Sequence, residues 1–121
     1  MRQEENELDK CAFEYLLIKA VDESLSSFGE SVKSSVYFHL EVSFGMKRND
    51  IPKNLEDFSQ NLNALFRDGS RYIEKLILKR LCKAVGLNFE NEDEFRFVLY
   101  VDRIKGAFKK RTKSKPKGVV F

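Results

Sequence analysis

Four glycines, Gly29, Gly45, Gly69 and Gly86, each follow a stretch with helical periodicity. Glycine adopts the left-handed conformation that closes a helix without a Cβ clash, so helix-then-glycine units constrain this chain to an all-helical domain. Their spacing is unequal and the units do not align, which excludes a repeat array.

The first helix is expected over 8–28, where Leu17, Ile18, Val21, Leu25 and Phe28 fall three and four apart and share one face. The second spans 30–44, with Val32, Val36, Leu40 and Phe44 on its inner stripe. Pro52 favours an extended Ile51, so 46–52 reads as a loop that no helix crosses. Asn54 is the expected N-cap of the third helix, with Glu56 and Asp57 in its first turn and Phe58, Leu62, Leu65 and Phe66 as its stripe. Gly69 ends it and Ser70 caps the fourth, where Ile73, Leu76, Ile77, Leu78, Leu81, Ala84 and Val85 cover most of the circumference. The fourth helix is therefore the expected centre, and with the first it supplies most of the core.

Asn91, followed by Glu92, Asp93 and Glu94, reads as the cap of a fifth helix whose stripe is Phe97, Val101, Ile104 and Phe108. A second stripe of Phe95, Val98 and Leu99 lies across from it, and residues 95–101 are also rich in strand formers. Helix is the reading taken, because the acidic cap fits and no partner strand is evident. Gly106 is expected to fray the end.

The fold expectation is all-α, a compact bundle of about five helices with a flexible basic C-terminal tail. The division is an acidic N-terminal segment at 1–7, a helical domain at 8–108 and a basic disordered tail at 109–121. Charge draws the last boundary. Residues 1–102 hold 14 Lys/Arg and 19 Asp/Glu, whereas 103–121 hold eight Lys/Arg and no acid. A mildly acidic body thus carries a strongly basic arm.

No secretory signal is recognisable, and the apolar runs 15–18 and 97–101 are far too short to span a bilayer. Cys11 and Cys82 lack metal-ligand spacing; they read either as two reduced thiols at core edges or as a bridge. A cytoplasmic location with no transmembrane segment is the expectation.

No catalytic residues, no cofactor-binding residues and no metal ligands are assigned. His39, the sole histidine, has no partner to orient it, because Glu41 two positions on points elsewhere; it reads as a histidine at the core edge. The serines sit in no nucleophile elbow, and no phosphate-binding glycine motif occurs. The pairs Asp22/Glu23 and Glu56/Asp57 read as helix surface or caps. The expected class is a non-catalytic interaction or regulatory module.

Two contact surfaces stand out. Phe38 and Val42 lie four apart, opposite the Val36/Leu40 stripe, so they are either an outward interface or one side of a helix sandwiched within the domain. A protein partner or a homodimer would cover such a face. Lys105, Lys109, Lys110, Arg111, Lys113, Lys115 and Lys117 form the second surface, suited to phosphate backbones without base stacking, or else a solubilising arm. That alternative makes the chain an accessory, sequence-independent nucleic-acid-binding protein. On the fourth helix, Lys75, Lys79, Arg80 and Lys83 form a basic arc best read as its solvent side.

The segments Ser27-Phe28-Gly29-Glu30-Ser31-Val32-Lys33, Val36-Tyr37-Phe38-His39-Leu40-Glu41, Phe44-Gly45-Met46-Lys47 and Ile73-Glu74-Lys75-Leu76-Ile77-Leu78 resemble, in order and spacing, the archaeal Nitrosopumilus output domain group. The resemblance covers about 13–104. It implies a small helical domain at the effector end of signalling proteins, expected here to stand alone and not fused to a sensor. It implies no reaction and supplies no catalytic residues.

Overall fold

The computed structural model describes residues 2–90 and 96–119, with side chains at 10–90 and 96–109. The chain forms α1 (Arg2–Ser26), α2 (Glu30–Phe44), a 3-10 helix (Arg48–Lys53), α3 (Leu55–Phe66), α4 (Gly69–Val85) and α5 (Phe97–Val119). The fold is all-α, and no strand occurs among the described residues. The segment from Phe97 to Val101, rich in strand formers, is helical.

The two helices expected at the centre are there. α1 contributes Phe13, Leu17, Ala20, Val21 and Leu25 to the core, and α4 contributes Ile73, Ile77, Leu78, Leu81, Cys82 and Val85. Around this pair pack Val36 and Leu40 of α2, Phe58 and Leu62 of α3, and Phe97, Tyr100, Val101 and Ile104 of α5. Fully burying such side chains contributes roughly 1.5–3 kcal/mol each against chain entropy. Leu76 is half-buried and Ala84 exposed, so the inner arc of α4 is narrower than its composition suggests.

Two of the four glycines depart from the helix-stop reading. Gly45 and Gly86 take left-handed φ of 67° and 77° and close α2 and α4 as expected. Gly29, by contrast, precedes α2 at φ 117°, because α1 has already ended at Ser26. Gly69 is the first residue of α4, not a stop; the chain reverses at Arg67, with φ 53°. Ser70 is consequently not a cap but a buried residue, whose hydroxyl donates to the Arg67 carbonyl at 2.7 Å.

The 46–52 segment is also corrected. A 3-10 helix runs through Pro52, because Ile51 is fully buried and the Lys47 N–H donates to the Asp50 carboxylate at 3.0 Å. A short 3-10 turn needs few backbone donors, so proline's missing N–H costs little there. Asn54 makes no side-chain cap on α3; its amide donates back to the Asp50 carbonyl at 3.1 Å.

α5 begins at Phe97, with the Tyr100 N–H donating to the Arg96 carbonyl. The expected cap Asn91 and the acids Glu92, Asp93 and Glu94 lie outside the described residues, as does Phe95. Gly106 sits inside the helix. The side chains of 2–9 and 110–119, where the acidic start and most of the basic arm fall, lie outside the described ones.

Candidate interaction surfaces

α2 leans on α1 through Val36 and Leu40, and this leaves its opposite side bare. Phe38 is 61% exposed and Val42 66%, so the pair faces outward and is not sandwiched. Beside them, between α2 and α3, lies a groove of about 400 Å³ lined by Val32, Val36, Leu65 and Phe66, with Ser31, Ser35 and His39 on its α2 wall. His39 is exposed there, not tucked at a core edge, and its ring meets the Phe38 ring edge-on at 5.5 Å. A projecting aromatic next to an apolar groove suits docking of another apolar surface; it provides no acid–base pair.

Phe28 and Phe44, expected in the core, are 42% and 40% exposed. Phe28 caps the bundle end instead, with its ring 6.1 Å from that of Tyr72. The early end of α1 leaves Phe28 in the turn, beyond the helical face that would have buried it.

A second cleft, of about 290 Å³, lies between α3, α4 and the start of α5, with Glu56, Ser59, Arg71, Glu74 and Arg96 among its lining residues. Glu74 is 7% exposed at its wall and accepts a hydrogen bond from the Ser59 hydroxyl. Burial pushes the Glu74 carboxyl up, while the Ser59 bond and the Arg71 charge pull it part of the way back. A serine donating to such a carboxyl is not thereby made nucleophilic, since no imidazole or amine relays its proton. The pair clips α3 to α4. Sequence reading passed over Glu74, although its place between Ile73 and Ile77 puts it near the inner arc.

A third polar group joins α1, α2 and the 3-10 helix. The Tyr37 hydroxyl and the Arg48 guanidinium both donate to the Asp22 carboxylate. Burial raises the Asp22 carboxyl, but the Arg48 and Tyr37 bonds outweigh it and hold it below the usual range. Asp22, read from sequence as helix surface or a cap, is thus a junction of three elements.

Of the basic arm, Lys105 and Lys109 are half-buried on α5, and Arg103 stacks over the Tyr100 ring at 4.6 Å. Lys110, Arg111, Lys113, Lys115 and Lys117 lie outside the described side chains. On α4, Arg80 reaches Glu23 at 3.8 Å, so part of the basic arc serves to hold α1. Cys11 is exposed and Cys82 buried, both free.

No group of His, Cys, Asp or Glu able to hold a metal occurs among the described residues, and none of their helices is long and apolar enough to cross a membrane. No family model, curated protein or solved structure matches the chain.

Proposed function

We propose that this protein is a non-catalytic interaction module that self-associates through α2. The observation that carries the reading is the placing of Phe38 and Val42, both well over half exposed, beside the apolar groove between α2 and α3. A two-fold contact requires one patch to be self-complementary. Here a knob, Phe38, and a hole, lined by Val32, Val36, Leu65 and Phe66, occupy the same face, so each copy can seat its Phe38 in the other's groove. The resemblance to the archaeal output domain group supports a regulatory role for such an assembly, at the effector end of signalling in the cytoplasm. Sedimentation at about 10–100 μM tests it. A dimer is expected for the parent and a monomer with unchanged helical circular dichroism for Phe38→Asp. A monomeric parent, or a dimeric variant, overturns the reading.

A second reading is favoured by one further observation: α5 continues to Val119, so the basic positions from Arg103 to Lys117 belong to a single helix. A helix of that composition suits sequence-independent contact with nucleic-acid phosphates. With about five contacts, log affinity for duplex DNA falls against log salt with a slope of roughly −4 to −5. A shallow slope with affinity unaffected by ending the chain after Phe108 counts against it.

A further inference from the structure

The apolar groove and the aromatic that stands beside it occupy different levels of α2. Val32 and Val36 share the groove with Leu65 and Phe66 from the end of α3, whereas Phe44 and Gly45 share a separate cleft with Asn54, Asp57 and Asn61 from its start. α2 and α3 therefore run in opposite directions. The α2 wall of the groove extends from Ser31 to His39 and is centred near Ser35, while Phe38 and Val42 stand towards the C-terminal end. A knob and a hole displaced along one helix constrain how a second copy can fit.

The outward side of α2 is graded in size. Ser31, Ser34 and Ser35 are exposed in its first half, and Phe38, His39 and Val42 in its second. When two α2 helices lie antiparallel with Phe38 level with the partner's Ser35, Val42 comes level with the partner's Ser31 and His39 with the partner's Ser34. One register thus sets every bulky side chain of the face against a serine. A parallel pair sets each residue against its own copy, so Phe38 and Val42 collide while the serines face each other across a gap. Electrostatics agree. Antiparallel helices place the positive N-terminus of one beside the negative C-terminus of the other. They also bring the exposed Lys47, just past the end of α2, towards the exposed Glu30 at the partner's start. A parallel pair aligns the dipoles and stacks Glu30 on Glu30 and Glu41 on Glu41.

We infer that two copies of this chain pair through antiparallel α2 helices, about a two-fold axis that crosses α2 between Val36 and Tyr37, with each Phe38 seated over the partner's Ser35. The inference rests on the self-association reading and gives it a register. The 15 residues of α2 make a face about 22 Å long. Together with the neighbouring α3 it is about 20 Å across, two helix widths, and so covers about 450 Å² per copy. About 900 Å² in all is the size of a weak, reversible interface, well short of an obligate dimer. The pairing is therefore governed by concentration.

The test is disulfide cross-linking of the full chain. Cys11, which is exposed, is first replaced by Cys11→Ser; Cys82 is buried and stays. Into that background go Ser31→Cys and Val42→Cys, each alone. The two positions are about 16 Å apart along one helix, so neither thiol reaches its own copy across an antiparallel pair, whereas the two different thiols come level. After oxidation at roughly 100 μM, an equal mixture of the two proteins is expected to give about tenfold more covalent dimer than either alone, because pairing raises the effective concentration of the matched thiols. Either variant cross-linking to itself as well as the mixture does overturns the antiparallel register. So does a mixture that gives no more covalent dimer than the single variants, where the parent sediments as a dimer; self-association through α2 is then judged by Phe38→Asp alone. A parent that stays monomeric at that concentration overturns the self-association reading and the register with it.

Discussion

Arg48, in the 3-10 helix, forks onto the carboxylate of Asp22 in α1, with its Nε 3.0 Å from Oδ1. The 3-10 helix is thereby tied to α1 across 26 residues of sequence, beside the burial of Ile51. Bidentate Arg–carboxylate pairs are the stronger class, but the two side chains here are 48% and 24% exposed, and solvent discounts the gain. Arg48→Met is expected to cost about 1 kcal/mol in urea unfolding at neutral pH. The Asp22 carboxyl sits below its ordinary 3.8 in the fold, so its contribution is present above about pH 4 and is lost as pH falls through the lowered folded value. The stability gap between the parent and Arg48→Met should therefore narrow as pH falls below the ordinary carboxyl value; a gap that does not narrow on acidification contradicts the pairing.

Glu74 has the opposite sign. Burial raises its carboxyl above the ordinary 4.5, so the folded state binds its proton more tightly than the unfolded chain does. Stability is then full at low pH and declines as pH rises from the ordinary value through the raised one. Glu74→Gln keeps an oxygen to accept the Ser59 hydroxyl and removes the charge. The expected outcome is a higher Tm than the parent's at pH 7 and an equal one near about pH 4. A lower Tm at pH 7 would show that the charge is needed, with Arg71 as its partner.

What was legible in the sequence follows the range of the forces concerned. Helix stops at Gly45 and Gly86 are local events, set by one residue's freedom to turn left-handed, and both could be read directly. Spacing alone sets Phe38 and Val42 opposite Val36 and Leu40, but it leaves open whether a further helix covers them; only the packed structure shows them exposed. Phe28 and Phe44 were misplaced because a stripe says which face is apolar, not how far along it the neighbouring helices reach. The groove could not be read at all: its other wall, Leu65 and Phe66, belongs to α3, brought alongside α2 only by packing on α1 and α4. Continuation of α5 past Phe108 carried no signal either, since the Lys-rich run with Pro116 and Gly118 has no apolar period.

Arg67 holds φ 53° at the reversal between α3 and α4, the one non-glycine residue at positive φ among the described residues. Its N–H donates to the Asn63 carbonyl at 2.8 Å and its carbonyl accepts from Ser70, so the turn is held from both sides. An L-residue there carries roughly 1–2 kcal/mol of steric cost that glycine does not. Arg67→Gly is expected to stabilise the domain by about 1 kcal/mol in urea unfolding, after the greater unfolded-state freedom of glycine is subtracted. A loss of stability would show that the Arg67 side chain contributes more than its backbone costs.

Gly86 and Gly106 make a paired test of what a glycine does in this fold. Gly86 closes α4 at φ 77°, with its N–H directed at the Cys82 and Lys83 carbonyls. Alanine there places a Cβ in the left-handed region and is expected to cost about 1–2 kcal/mol. Gly106 lies within α5 at no positive φ, and a Cβ added to it meets nothing within 4 Å. Alanine at that position removes unfolded-state freedom and raises helix propensity, for an expected gain of about 0.5–1 kcal/mol. Opposite shifts of the urea midpoint for Gly86→Ala and Gly106→Ala, at unchanged slope, are the predicted outcome. A destabilising Gly106→Ala would mean that another surface approaches α5 closely at that position, as a partner copy would, and would direct the search for a second interface there.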